Sequence, residues 1–215
     1  MKHLAPCIVR PMHSRGRRSF RLAALALPVL LLLLAVPVTA QVGNPLLTGG
    51  GGPTMELSLI DPSQFGASGL PEMMVLQGGG GFGRYQAWRV GGYGAAGQTT
   101  PNKAGESLSV SYGGVHAAYL PGAQGAFPTV SPRTSIGALF GMGMVTLQRA
   151  ANSERLAFLL FRPEAAVEFG LGQLGTVQVG VTYTFPIPMG SAQALGDLRG
   201  IQRPGFRIGL VFGGF

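Results

Sequence analysis

Residues 176 to 185 alternate without a break: Val177, Val179, Val181, Tyr183 and Phe185 interleave with Thr176, Gln178, Gly180, Thr182 and Thr184. A repeat of two is the signature of a β-strand, whose successive side chains leave on opposite faces. The same repeat sets Leu108, Val110 and Tyr112 against Ser107, Ser109, Ser111 and Gly113. It also sets Ile136, Ala138, Phe140, Met142 and Met144 against Ser135, Gly137, Leu139, Gly141 and Gly143. No stretch after Ala40 carries a capped helical stripe. Eight strands are predicted, at about 54–61, 73–84, 86–97, 106–119, 134–149, 156–170, 174–186 and 204–215, with ends loose by a few residues.

What faces the bulky rows narrows the choice further. A barrel in water alternates apolar residues with Lys, Glu, Asp and Arg. Here the partners are mostly Gly, Ser and Thr: glycine accounts for 36 of 215 residues, and charged residues for only 11%. Charge is scarce on both faces, as expected where one meets lipid and the other lines a narrow lumen. Lipid is then the solvent for Val177, Phe140 and Leu210, and Ser109 and Thr182 look inward. Eight is the smallest usual strand number for a membrane barrel. The fold expected is all-β: an eight-stranded antiparallel up-and-down transmembrane barrel preceded by a signal peptide.

Residues 1–40 read as that signal. A basic stretch ends in Arg17-Arg18-Ser19-Phe20-Arg21, an apolar run follows from Leu22, and Val38-Thr39-Ala40 offers a small-x-small cleavage site before Gln41. The paired arginines loosely fit a twin-arginine signal, but the Leu-rich core favours the general route. Residues 41–53 read as a Gly/Pro-rich leader, and 54–215 as the barrel. The net charge of +8 then loses its weight, because six of the 16 bases precede Ala40. Without a basic cluster beyond that point, nucleic acid is not an expected partner. Cys7, the only cysteine, also lies in the signal, so disulfides and thiolate metal sites are not expected afterwards.

Connections give a topology. With both ends of the chain on the periplasmic side, the segments at 62–72, 98–105 and 187–203 are outward loops, while Arg84-Tyr85-Gln86 and Gly172-Gln173 are tight inward turns. The segments 120–133, long where a turn belongs, and 150–155, short where a loop belongs, run against that pattern.

The pieces Gly51-Gly52-Pro53, Gly78-Gly79-Gly80-Gly81-Phe82-Gly83, Arg89-Val90-Gly91-Gly92-Tyr93-Gly94 and Arg162-Pro163-Glu164 with Val167-Glu168-Phe169 are spread over most of residues 50–215. Through them the chain resembles the small glycine-rich outer-membrane β-barrels of bacteria, an eight-stranded meander type. The alternation of Phe206, Ile208, Leu210 and Phe212 with a final Phe215 is similar to their terminal strand. The resemblance implies that Phe215 is an assembly signal read by the barrel-assembly machinery, and that outer-membrane lipid is a partner. Most such families have no known biochemical activity, so the implied role is structural or surface-interactive rather than enzymatic.

Candidate chemistry is thin. Residues 78–83 satisfy G-x-G-x-x-G, but a hairpin rather than a helix follows, so no nucleotide is expected. His116 is the only histidine after Ala40, which leaves no histidine metal cluster. A lipid-modifying hydrolase would need a serine such as Ser111 or Ser135 in reach of it. No cofactor is expected. By alternation Glu56, Arg89, Glu164, Glu168 and Arg207 point inward, and buried charges should pair into a lumen ion network, with Glu56 near Arg207 where the first and last strands meet. Tyr85, Trp88, Tyr119 and Phe185 fall near strand ends, where interfacial aromatics sit. A soluble periplasmic lipocalin-like carrier of an apolar ligand is the alternative reading.

Overall fold

The computed structural model describes residues 47–121, 132–172, 175–190 and 197–213. The signal, the start of the leader and Phe215 lie outside them. The strands are β1 (Leu47–Leu59), β2 (Met73–Tyr85), β3 (Trp88–Gln98), β4 (Ser107–Tyr119), β5 (Arg133–Gln148), β6 (Ser153–Gly170), β7 (Thr176–Tyr183), β8 (Phe185–Pro188) and β9 (Pro204–Gly213). β7 and β8 are one path interrupted at Thr184, because Glu164↔Thr182 and Phe161↔Phe185 share a single register on β6. Every neighbouring pair is antiparallel, β9 returns to β1, and β5 pairs with β6. The result is a closed eight-stranded meander barrel.

The ladder also fixes the geometry of closure. From Thr48 it passes through Arg84, Arg89, Ala118, Gly137, Glu164, Thr182 and Gly205, and meets β1 again at Ser58, ten residues from the start. A stagger of ten over eight strands requires a tilt of about 40°, or about 2.5 Å of height per residue.

The expected leader is corrected by β1, which begins at Leu47 rather than Thr54. Gly49, Gly51 and Gly52 pair with Gly83, Gly81 and Gly80. This is a ladder almost without side chains, so it has no apolar alternation to betray it in the sequence.

Strand burial alternates around the whole barrel. Val181, Phe140 and Leu210 are exposed on the outer surface, while Thr182 and Gln178 are buried. Along the described outward positions of the strands, Arg155 near the start of β6 is the single charged residue. From Val177 to Ile187 the outward residues are apolar or aromatic for ten steps, about 25 Å of height.

One expectation is reversed in β4. Leu108, Val110 and Tyr112 are buried inside, and Ser109 and Ser111 lie on the outer face. The cause is an apolar plug. At the end carrying the connections after β1, β3, β5 and β8, the interior is packed with Met74, Leu76, Leu108, Val145, Leu147, Leu156, Phe158 and Leu160. Bulky side chains on β4 serve that core instead of lipid. Gly143 makes room for it, since a Cβ there would overlap the Phe158 ring. Two short 3-10 turns, Pro62–Phe65 and Leu198–Ile201, close this loop end. They are tied together by Asp61 N–H to Gly200 O (2.7 Å) and Asp197 N–H to Gln64 O (3.0 Å), and they add Phe65, Leu198 and Ile201 to the plug.

At the other end, where Leu47 and Gly213 lie, Gln86 and Ala87 make a two-residue turn. The connection from 120 to 132 is long there, against the expected short turn. At the loop end only residues 149–152 separate β5 from β6.

Candidate functional site

Beneath the plug the interior is polar. β6 sends Arg162, Glu164 and Glu168 inward from its even positions, with Ala166 between the two glutamates, and β1, β3 and β9 contribute Glu56, Arg89 and Arg207. All six are buried, with Glu56 and Arg162 each 1% exposed. Buried charges require partners, and each has one. Arg89 forms a two-pronged pair with Glu168 (2.7 and 3.0 Å), Arg162 pairs with Glu56, and Arg207 pairs with Glu164.

Tyr112 donates to Glu56 (2.7 Å) and lies against the Arg162 guanidinium, whose carbon is 4.8 Å from the Tyr112 ring centroid and 5.2 Å from that of Tyr93. Gln178 couples the lower pairs, donating to Glu168 (3.1 Å) and accepting from Arg207 (2.8 Å). Stacking of Arg89 over Phe82, 4.3 Å from the ring centroid, fixes the remaining guanidinium.

The five inward charges read from the sequence therefore meet in the lumen, but Glu56 does not pair with Arg207. The two are opposite in the β1–β9 register; nevertheless the carboxylate of Glu56 reaches across the lumen to Arg162 on β6. Alternation assigns a face and says nothing of which distant strand lies across the barrel. Arg162, Tyr93, Tyr112 and Gln178 were missed. The signal for Arg162 was present in its spacing of two from Glu164.

His116 Nε2 lies 3.7 Å from Glu164 and has no hydrogen-bond partner among the described residues. Ser111 lies on the outer face of β4, so it does not serve this base.

Below the ion pairs a recess opens toward the chain-terminus end. Its walls carry Gly52, Gly80 and Gly91 with Arg89, His116, Gln178 and Arg207. It measures about 40 Å³, against about 10 Å³ for the void inside the plug between Met74, Val110 and Phe158. The plug void is at the limit for one water molecule, and the recess has room for about three.

On the outside, Trp88 and Tyr119 stand 5.1 Å apart between ring centroids, with Tyr85 opposite Trp88 in the ladder. This places three of the four expected aromatics at the chain-terminus end of the barrel. Phe185 belongs to a different group. It stacks on Phe161 (5.9 Å), which meets Phe140 (4.9 Å), and it also touches Tyr183 (4.8 Å).

No family model matches the sequence, and no curated protein matches it. Among solved structures the chain is similar to Neisserial surface protein A (NspA), with a TM-score of 0.47 and 9% identity over 77% of this chain and 93% of that one. It is also similar to Ail, the attachment invasion locus protein of Yersinia pestis, with a TM-score of 0.46 and 11% identity over 77% and 97% of the two chains. A further likeness is to Ail in complex with the heparin analogue sucrose octasulfate, at a TM-score of 0.45 and 11% identity, covering 78% and 95%.

Proposed function

We propose that this protein is a bacterial outer-membrane barrel with a structural or surface-interaction role in the envelope, reached by way of the signal at 1–40. The observation that carries this reading is the inverted distribution of polarity. The six interior charges are paired and buried, whereas the outer wall is an uncharged band about 25 Å tall with Tyr85, Trp88 and Tyr119 grouped at its chain-terminus edge, as suits a bilayer. In water such a surface, with Met55, Trp88, Ile136, Phe140, Met142, Val181 and Phe212 all more than half exposed, is an aggregation liability.

The plug supports interaction rather than transport, because Val145, Leu147 and Phe158 are fully buried where a solute path would run. Among the described residues the plug holds only a void of about 10 Å³, too small for an apolar ligand, which weighs against a soluble carrier. His116 Nε2 has no hydrogen-bond partner among the described residues, which weighs against a hydrolytic role. The proposed partners are outer-membrane lipid, the barrel-assembly machinery during insertion through Phe215, and whatever the connections at the loop end meet outside. The test is fractionation of cells expressing the full chain, combined with gel mobility before and after boiling. Recovery with outer membranes and a boiling-dependent shift are expected. Recovery in the periplasmic extract would overturn the proposal.

A further inference from the structure

The outer wall is uneven. On β5 and β6 it carries Phe140, Met142, Leu159 and Phe161, whereas the outward positions in the middle of β2, β3 and β4 are small. Gly81 faces Gly92 across the β2–β3 ladder, and Gly79, Gly94 and Gly113 form the next row. They share the parity of Val75, Val90 and Val115, all exposed, and so lie on the outside.

The barrel itself does not require most of these glycines. An added Cβ would meet nothing within 4 Å at Gly92, and its nearest neighbour would be at 3.7 Å at Gly81, 3.4 Å at Gly94 and 3.3 Å at Gly113; only Gly79, at 2.9 Å, is crowded. The inward glycines of the same strands differ, since a Cβ at Gly78, Gly80 or Gly91 would lie 2.2, 2.3 or 2.0 Å from a carbonyl oxygen of the neighbouring strand. Glycine weakens a strand and offers lipid no side chain, so nothing within the barrel offsets its cost on the outer face. What small residues on a membrane wall permit is the close approach of a second backbone.

Gln77 borders this patch. It is exposed on the outer face of β2, beside Ala96 and in the row above Gly79, and its carboxamide has no hydrogen-bond partner among the described residues. Val75 and Met73 continue the apolar wall beyond it, and Tyr85 lies at the other end of the strand. Gln77 therefore stands about 10 Å inside the loop-end edge of β2 and about 20 Å from the aromatic edge. Its side chain does not reach water from there, and an amide that faces hydrocarbon without a partner is unfavourable.

We propose that the β2–β4 face packs against a second copy of this chain within the membrane, with the two Gln77 carboxamides hydrogen-bonded to each other across a two-fold axis along the membrane normal. Copies inserted in the same direction and related by such an axis place each residue at the height of its equivalent. A primary amide both donates and accepts, so Gln77 is complementary to itself at that height. The glycine rows let the walls come close enough for the amides to meet. The inference rests on the outer wall facing lipid, as proposed above.

The test is sedimentation equilibrium of the full chain folded in uncharged, density-matched detergent micelles, over a range of protein-to-detergent ratios. An equilibrium between monomer and dimer is expected. Gln77→Leu, which suits lipid better, should weaken the dimer by about threefold to thirtyfold, the range for hydrogen bonds between membrane segments. Gly92→Leu, for which the barrel has room, should weaken it by about tenfold or more by holding the walls apart. Val181→Leu, on the opposite wall, should leave it unchanged. The boiling-dependent gel shift of each variant separates loss of the dimer from loss of the fold. A folded chain that stays monomeric at every ratio, or a dimer indifferent to both Gln77→Leu and Gly92→Leu, would refute this inference and leave the outer-membrane reading standing. A chain with no boiling-dependent shift in the detergent would sink both.

Discussion

Glu56→Gln is the sharpest probe of what holds the lumen together. The carboxylate is buried, accepts from Tyr112 and pairs with Nη1 of Arg162, whose Nε and Nη2 have no hydrogen-bond partner among the described residues. The substitution keeps the shape and removes the charge, leaving a guanidinium stranded in a dry interior. Breaking one side of a buried pair costs about 3–5 kcal/mol. The reference is Glu106→Gln at the loop end. There the carboxylate is 19% exposed and pairs with Arg149, which is 34% exposed, so loss of that pair costs at most about 1 kcal/mol.

The expected gap of about 2–4 kcal/mol corresponds to a urea midpoint lower by about 1 M or more for Glu56→Gln, given slopes of roughly 1–3 kcal/mol/M. Trp88, the only tryptophan, reports the transition by fluorescence from detergent-folded protein. The double variant Glu56→Gln/Arg162→Met should recover most of the loss, because removing both partners of a buried pair is close to neutral. Coincident midpoints for the two single variants would refute the reasoning, as would a double variant no better than the sum of its parts.

Gly143→Ala is expected to cost about 1–3 kcal/mol by driving a methyl into the Phe158 ring. Gly83→Ala, where an added Cβ meets nothing within 4 Å, should be close to neutral, and the same unfolding assay compares them. At the loop end, hydrogen bonds from Ser63 hold the Asp61 carboxyl below its ordinary value, with Arg203 at 2.8 Å adding to the effect. A depressed carboxyl contributes above its unfolded pKa and loses that contribution as pH falls through the folded one. The tie between the two 3-10 turns should therefore loosen below about pH 4, seen as faster amide exchange at Gly200 and Asp197, and Asp61→Asn should abolish this pH dependence.

Much of this architecture was legible in the sequence, for reasons that individual residues make plain. Seven of the eight strand paths were anticipated to within a few residues at their starts, because alternation survives wherever side chains are large enough to show it. In the eighth it failed over Leu47–Pro53, where glycine faces glycine across the ladder. The inward direction of Glu56, Arg89, Glu164, Glu168 and Arg207 followed from parity alone. Their pairing did not, since a stagger of ten residues decides which side chains meet across the lumen, and no local pattern records it. Leu108, Val110 and Tyr112 were assigned to the wrong solvent because an apolar row built for lipid and one built for a protein core have the same spelling.

The sealed loop end carries a consequence for how such a chain can change over generations. With Val145, Leu147 and Phe158 on the strands acting as a stopper, the barrier rests mainly on the barrel wall, to which the connections add Phe65, Leu198 and Ile201. On the proposed outer-membrane reading, the parts of those connections outside the plug can vary in length and chemistry without making the envelope leak.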